Sequence, residues 1–379
     1  IPGAAARWKQ PCGPPRLYLR RKAGSTVYLL VLTAVALILV IKLAVPALTA
    51  ELFASAAVHA AVDDYLQIYA VALLFEAVNL AYSVFYVGIG RTRVLIGAAA
   101  VLAVTNILFD YLLIFGRFGF PELGIQGAAI ASLAAEAAAF VFLSIDVVRR
   151  GYVRTYGLLR FGSWDRRIAR LVGFISVPVS LEALLETIRW FVLFVIIEQL
   201  GEEMLAKANI VYSIYAVLLI PVDGFSETVC SMASNLIGQR RASRIGPLMR
   251  RAMQLTYVVI APLLLVVLAF PGPLLQVFSS DQAFTASIVP SLFVICVAAV
   301  VWVPAETAYS AVAGTGDTRA ILFFQAVTTS AVIGTAWYVG IVRGLALEYV
   351  WAAEVLGALI ALVLSAAWLK SGIWQRLRI

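Results

Sequence analysis

The chain contains ten apolar stretches of about 20 residues or more, separated by short polar loops. An α-helix of this length spans the hydrocarbon core of a bilayer. The chain is 63% hydrophobic and only 13% charged, with a mean hydropathy of +0.96, values that exclude an ordinary soluble domain. We therefore predict an all-α, polytopic membrane protein with about ten transmembrane helices. The predicted spans are 26–49, 66–90, 94–115, 123–148, 168–200, 205–238, 252–270, 284–313, 320–342 and 346–369.

Basic residues are concentrated in every second loop. If the N-terminal arm is cytoplasmic, the segments on that side hold 24 of the 29 lysines and arginines. Basic residues in short loops stay on the cytoplasmic side of a membrane, so both termini are predicted to be cytoplasmic. This asymmetry accounts for the net charge of +8, and no nucleic-acid partner is needed to explain it.

Residue types that hydrolytic and metal-dependent enzymes need are scarce. His59 is the only histidine, and the three cysteines, Cys12, Cys230 and Cys296, are widely separated. The sequence contains neither an HExxH nor a GxSxG motif. A zinc hydrolase and a serine hydrolase are therefore excluded. We expect neither enzymatic activity nor a bound cofactor.

Two segments of the sequence resemble each other at a fixed distance. GIGRTR at 88–93 and GTGDTR at 314–319 share four of six residues and lie 226 positions apart. The neighbouring apolar stretches match at the same offset, which predicts two copies of one bundle related by a pseudo-twofold axis. Spans 168–200 and 205–238 have no counterparts at this offset, so we expect two further helices upstream and an N-terminally truncated twelve-helix protein. We predict an incomplete N-terminal lobe over 1–150, a cytoplasmic linker over 151–167 and a six-helix C-terminal lobe over 168–379.

The stretch 168–201 is apolar enough to cross a membrane, yet it carries charged residues in its middle. Glu182, Glu186, Arg189 and Trp190 are spaced i, i+4, i+7 and i+8, which places them on one face of a helix. A charged side chain at membrane depth costs about 3 kcal/mol on insertion scales, so it must face protein or a water-filled cavity. We predict that this face lines a polar cavity.

Four further polar residues are candidates for the same cavity. Asp223 and Glu227 follow Pro221 at i, i+4 spacing, and the kink expected at this proline frees backbone carbonyls as extra ligands. Glu306 is an isolated acid inside a predicted span. Tyr309 offers a ring face that can stabilise an organic cation.

Several segments resemble one family of membrane transporters. NILFDYLLIFGRFGFPELGIQGAAIASLAAE at 106–136 is similar to the fifth and sixth helices of multidrug and toxic compound extrusion (MATE) transporters of the MOP superfamily, and AGTGDT at 313–318 resembles the end of their tenth helix. The stretch from Pro178 to Gly201, with IPVDGF and SNLIGQ after it, resembles their seventh and eighth helices. The resemblance covers about 24–370 and implies twelve helices in two lobes around a central cavity.

The resemblance also implies an activity and a site. Family members export organic cations in exchange for inward H⁺ or Na⁺, and Glu186 falls on the acidic seventh-helix position that they use for coupling, either to a proton or as a ligand of Na⁺. The tenth-helix acid of Na⁺-coupled members falls at Trp302 here, and Glu306, one turn away, is the candidate replacement. We therefore predict a monomeric antiporter for small organic cations, in contact with lipid in the inner membrane of a bacterium.

Three alternatives stay open. Arg189 could close a buried salt bridge with Glu186, and Glu354 could pair with Arg189 or Lys42, which would give these charges a structural role. A lipid-linked oligosaccharide flippase of the same superfamily would need a cavity ringed by basic residues, whereas only Lys42 and Arg189 lie within spans. A truncated remnant without activity is the third alternative.

Overall fold

The computed structural model describes residues 56–156 and 166–372, together with the single positions Ala36 and Val40. Within these residues the chain is helical and contains no β-strand, and eight helices are long and apolar enough to cross a membrane. The prediction of an all-α polytopic membrane protein is confirmed. The predicted span 26–49 and residues 157–165 of the predicted linker lie outside the described residues, and each of the other nine predicted spans falls on one helix.

The chain divides into two compact units, residues 1–173 and 174–379. The described helices of the first unit are α1 Ala56–Gly88, α2 Arg93–Leu113, α3 Gly124–Arg149 and α4 Tyr152–Tyr156, with a 3₁₀ turn at Arg117–Gly119. Helix α3 packs along both α1 and α2. Ala131, Ala135 and Ala139 of α3 are buried there, because small side chains allow helix backbones to approach closely inside a membrane.

The second unit is built around one central helix. Its helices are α5 Arg166–Glu198, of which the part from Phe174 belongs to this unit, α6 Glu202–Gly238, α7 Ile245–Ala269, α8 Pro271–Gln276, α9 Gln282–Ala313, α10 Thr318–Trp337 and α11 Leu347–Ser371, with a 3₁₀ turn at Ala242–Arg244 and a π-helical turn at Tyr338–Val342. Helix α9 contacts α6, α7 and α11. The largest apolar core joins Leu193 of α5, Tyr215 of α6, Ile295 of α9 and Trp351 of α11.

The predicted repeat is confirmed by the helix boundaries of the two units. Helix α1 ends at Gly88 and α9 ends at Ala313, 225 residues later, while α10 and α11 begin within three residues of the positions that the offset of 226 predicts from α2 and α3. In each unit the third of these helices packs against the other two. Gly90 and Gly316, at equivalent positions, have φ angles of 70° and 82°, a conformation that glycine adopts without steric cost. In both copies the chain therefore leaves the first of the three helices through the same kind of turn.

Helix α9 contains a proline whose missing hydrogen bond is replaced from a neighbouring helix. Pro304 has no backbone N–H, so the carbonyl of Val300, four residues earlier, loses its usual helical partner. The hydroxyl of Tyr257 on α7 donates to this carbonyl at 3.0 Å. The bond satisfies a polar group that would be costly to leave unpaired at membrane depth.

The chain approaches helix α6 closely at Gly314, directly after the end of α9. A Cβ atom at this position would lie 2.6 Å from the carbonyl oxygen of Cys230 and 2.9 Å from the Cβ atom of Ala233. Only glycine leaves enough space for this contact, because the nearest group is backbone and cannot move aside as a flexible side chain could.

Gly314→Ala is expected to destabilise the protein by about 1 to 3 kcal/mol, the usual cost of forcing an extra methyl group into a packed contact. Gly334→Ala is the matched control, since a Cβ at this glycine of α10 would meet nothing within 4 Å. Thermal unfolding of the purified protein measures both. Equal unfolding temperatures for the two variants would contradict the close contact between α6 and α9.

Candidate functional site

A cavity of about 310 Å³ lies inside the second unit, between α5, α6, α9, α10 and α11. Its wall combines acidic and aromatic side chains with single basic, amide and hydroxyl groups. The polar and aromatic residues that line it are Glu182, Glu186, Arg189, Trp190, Tyr212, Tyr215, Asp223, Trp302, Glu306, Tyr309, Gln325, Thr328 and Glu354. Polar groups from five of the described helices therefore meet in this cavity.

One face of α5 supplies four of these side chains. Glu182, Glu186, Arg189 and Trp190, which the sequence spacing placed on one face, all line the cavity. Glu186 is the more open of the charged residues, with 53% of its side chain exposed, whereas Arg189 is 5% exposed. The polar stripe of α5 thus runs from a buried arginine to an exposed glutamate, and this glutamate is the one that the resemblance assigns to ion coupling.

A buried ion pair joins α5 to α11. The Arg189 Nη1 atom donates to the Glu354 Oε1 atom, and the Glu354 side chain is only 1% exposed. The prediction that Glu354 pairs with one of two basic residues is confirmed for Arg189, while Lys42 lies outside the described residues. The guanidinium carbon also lies 4.5 Å from the centroid of the Trp190 ring, where the negative face of the indole stabilises positive charge.

Tyr309 of α9 forms a hydrogen bond with a carboxylate of α5, that of Glu182. Its hydroxyl lies 2.9 Å from the Glu182 Oε1 atom and 3.2 Å from the carbonyl oxygen of Ile321. A tyrosine hydroxyl has one proton, so it donates to one of these acceptors at a time. A hydrogen bond to an ionised carboxylate is stronger than one to a neutral carbonyl, which favours donation to Glu182.

Helices α6 and α9 contribute the remaining predicted acids. Asp223 lines the cavity, but Glu227, one turn further along α6, is exposed and is not part of the lining. Glu306 lines the cavity one turn after Trp302, which also lines it. The i, i+4 spacing thus brings only the first acid of α6 to the site, because the cavity does not extend along the whole helix.

Gln325 and Thr328 of α10 were not predicted as site residues, and Glu354 was predicted only as a partner for a basic residue. All three line the cavity. Gln325 and Thr328 are spaced i, i+3 within a predicted span, the same kind of signal that identified the polar face of α5. That spacing could have indicated a polar face on α10.

The cavity is strongly negative by composition. Its lining contains five carboxylates, from Glu182, Glu186, Asp223, Glu306 and Glu354, against the single guanidinium of Arg189. Among the described residues, no group of three or more His, Cys, Asp and Glu side chains is arranged to hold a metal ion. A Na⁺ ion at Glu186 would need hydroxyl or carbonyl oxygens as further ligands, and this role of Glu186 stays a prediction.

Fold and site together define a polytopic helical membrane protein whose repeated bundle encloses a polar cavity. The MatE family model matches residues 17–112 and 178–338. The chain belongs to the MatE family, and the resemblance drawn from the helix motifs is confirmed.

Relatives and solved structures agree with this assignment. The chain is 24% identical over 274 residues to "Probable multidrug resistance protein NorM" of Thermotoga maritima, a match covering 70% of this chain and 57% of the relative. It is 24% identical over 221 residues to "Probable multidrug resistance protein YoeA" of Bacillus subtilis, covering 58% of this chain and 48% of the relative. The chain therefore spans about half the length of these curated relatives.

Two solved structures share the fold. A crystal structure of a MATE protein in complex with MaL6 superimposes with a TM-score of 0.82 at 17% identity, covering 94% of this chain and 85% of that chain. A MOP superfamily transporter from Pyrococcus furiosus gives a TM-score of 0.80 at 16% identity, covering 94% and 84% respectively. At these identities the likeness concerns the fold.

Arg189→Met is expected to destabilise the protein by about 3 to 5 kcal/mol, because it leaves the buried Glu354 carboxylate without its partner. The double variant Arg189→Met/Glu354→Leu removes both charges and is expected to unfold within a few degrees of the wild type. Thermal unfolding in detergent measures both. Equal losses in the single and double variants would contradict a charge-compensated pair.

Proposed function

We propose that the protein is a secondary active transporter that exports small organic cations in exchange for inward H⁺ or Na⁺. The observation that carries this proposal is the charge of the cavity in the second unit, where five carboxylates accompany one guanidinium. An excess of negative charge within low-dielectric walls concentrates cations and repels anions. The substrate and the coupling ion then compete for the same carboxylates, which links the movement of one to the movement of the other.

The aromatic side chains of the cavity support an organic rather than an inorganic substrate. The Trp190 ring lies 4.8 Å from the Tyr212 ring and 6.3 Å from the Tyr215 ring, measured between centroids. Trp302 and Tyr309 lie on the wall contributed by α9. Aromatic faces contribute about 0.5 to 2 kcal/mol each to the binding of an organic cation.

Family membership supports the same activity. The NorM and YoeA proteins are described as multidrug resistance proteins, and this chain matches about half of their length. From these relatives we infer that this chain also exports several small molecules. The cationic nature of the substrates is inferred from the cavity and not from the relatives.

A lipid-linked oligosaccharide flippase is the weaker candidate. A pyrophosphate group would need several basic side chains at the site, because phosphate oxygens are bound by arginine and lysine. The lining of the cavity contains one basic residue, Arg189, and that residue already pairs with Glu354.

We place the transporter in the inner membrane of a bacterium, as a monomer in contact with lipid and with both termini in the cytoplasm. Transport by alternating access, in which the cavity opens to one side of the membrane at a time, follows from the need to release cations against their gradient. The loop charges support this orientation, since 24 of 29 basic residues lie on one side of the predicted spans.

Glu186→Gln is expected to slow ethidium efflux from proteoliposomes at least about tenfold, because it removes an exposed carboxylate from the cation site. Glu203→Gln is the matched control. Glu203 is also an exposed acid of this unit in an ion pair, with Lys207 at 2.7 Å, but it does not line the cavity. Efflux at the wild-type rate in the Glu186 variant would remove this residue from the mechanism.

The coupling ion can be identified with the same proteoliposomes. A pH gradient without Na⁺, and a Na⁺ gradient at equal pH, are each imposed separately, and one of them is expected to drive ethidium accumulation against its gradient. Glu186→Gln should abolish that response, since the ion and ethidium then no longer compete for this carboxylate. If neither gradient drives wild-type transport, the antiport proposal is wrong.

A further inference from the structure

Arg189 lies between two carboxylates of different character. Its Nη1 atom donates to Glu354 of α11, whereas its Nη2 atom lies 3.8 Å from the Oε1 atom of Glu186. Glu354 is almost completely buried, and 53% of the Glu186 side chain is exposed in the cavity. The guanidinium group is a rigid fork that can engage two carboxylates at once. Here one branch is hydrogen-bonded to Glu354, and the other lies within ion-pair distance of Glu186 but beyond hydrogen-bond distance.

The buried carboxylate of Glu354 depends on Arg189 for its hydrogen bonding. Its Oε2 atom is buried and has no hydrogen-bond partner within the part of the chain that the structure describes. Tyr215 and Trp351 of the largest apolar core lie 6.2 Å apart, between ring centroids, and the Glu354 side chain is 1% exposed. A buried carboxylate in such surroundings holds its counter-ion strongly, because few other groups solvate its charge.

Glu186 is different, because it lies on the same helix as Arg189. The two residues are spaced i, i+3, so Arg189 stays within reach of Glu186 wherever α11 lies. The bond to Glu354 draws the guanidinium toward α11 and away from a closer contact with Glu186. The position of the arginine is set by competition between a buried acid on α11 and an accessible acid on α5.

We propose that Arg189 is a tethered competitor for the cation site at Glu186, and that Glu354 restrains it. Arg189 is in this sense a positioning residue: it partly compensates Glu186 when the site is empty and yields when a cation binds. The charge of Glu354 then determines how tightly the site holds its cation. The inference rests on the proposed function, since it assigns a regulator to the same site.

The first test does not depend on transport. Dicyclohexylcarbodiimide is an apolar reagent that modifies protonated carboxyl groups, and a guanidinium in contact with a carboxylate disfavours protonation. Labelling of Glu186 is followed by peptide mass spectrometry of the full-length chain, without added organic cation. Each variant is first checked for folding by thermal unfolding and gel filtration.

Two variants separate the competitor from a purely structural pair. In Glu354→Gln, Arg189 loses its charged partner and turns to Glu186, so labelling of Glu186 should be at least about threefold slower than in the wild type. In Arg189→Gln/Glu354→Gln the competitor is absent and the two amides can bond to each other, so labelling should be at least about threefold faster than in the wild type. Equal labelling in the two variants overturns the proposal.

If Glu354→Gln does not fold, the double variant tests the proposal without it. It removes both charges together, so it leaves no unpaired buried charge. Faster labelling of Glu186 than in the wild type supports the proposal, and an unchanged rate overturns it. The control variant is Glu203→Gln, which removes a carboxylate from the ion pair with Lys207 outside the cavity. In this variant Glu186 should be labelled at the wild-type rate.

The second test reads cation binding directly, with ethidium as the probe. Glu354→Gln should bind ethidium at least about tenfold more weakly than the wild type, and the double variant should bind it at least as tightly as the wild type. Adding Glu186→Gln should remove the difference between the variants, because the competitor acts only through this residue. A purely structural pair would leave the difference between the variants in place when Glu186 is also changed.

The two tests fail in different ways. If the labelling rates do not follow the expected order, the inference about Arg189 is wrong whatever ethidium does. If they do follow it and the wild-type protein neither binds nor exports ethidium, the organic-cation function is wrong while the restraint of Arg189 by Glu354 stands.

Discussion

The cost of placing charge inside an apolar helix is the constraint on which the second unit depends. Helix α5 carries Glu182, Glu186 and Arg189 in a segment long enough to cross a membrane. Lipid cannot solvate these groups, so the surrounding helices must supply partners or enclose a polar space. Glu354 of α11 and Tyr309 of α9 do so through direct bonds. The polar face of α5 and the packing of its neighbours are therefore one structural feature, and neither is stable without the other.

The same constraint connects the fold to cation chemistry. Partners could have neutralised every charge on α5, yet the lining keeps five carboxylates and only one guanidinium. The excess can be compensated by a proton, a metal ion or an organic cation that enters the cavity. Arg189 is held on the buried side of this arrangement by Glu354 and by the Trp190 ring. The charge of this site is only partly balanced from within, which is the basis of the proposed cation exchange.

The two copies of the internal repeat differ in the polar residues that they carry on equivalent helices. Helices α1 to α3 and α9 to α11 share boundaries and packing, but their polar contacts differ. In the first unit Asn79 donates to Glu136 at 2.8 Å, between α1 and α3. At the offset of 226 the equivalent residues are Ala305 and Leu362, and the second unit instead places Glu306 and Glu354 on the corresponding helices. The repeat fixes a framework of helices, and single substitutions on that framework determine where a site forms.

Local patterns in the sequence were sufficient to predict the helices, the repeat, the polar face of α5 and the family. Each of these depends on hydropathy, on the 3.6-residue period or on short motifs, which involve neighbours along the chain. Which acids share the cavity was decided only by tertiary structure: Asp223 lines it and Glu227 does not, although both fit the same spacing. The partner of Arg189 was one of several candidates in the sequence, and the structure selects Glu354, 165 residues away. Contacts of this kind depend on which helices pack together and at what height, and no periodicity within a single helix contains that information.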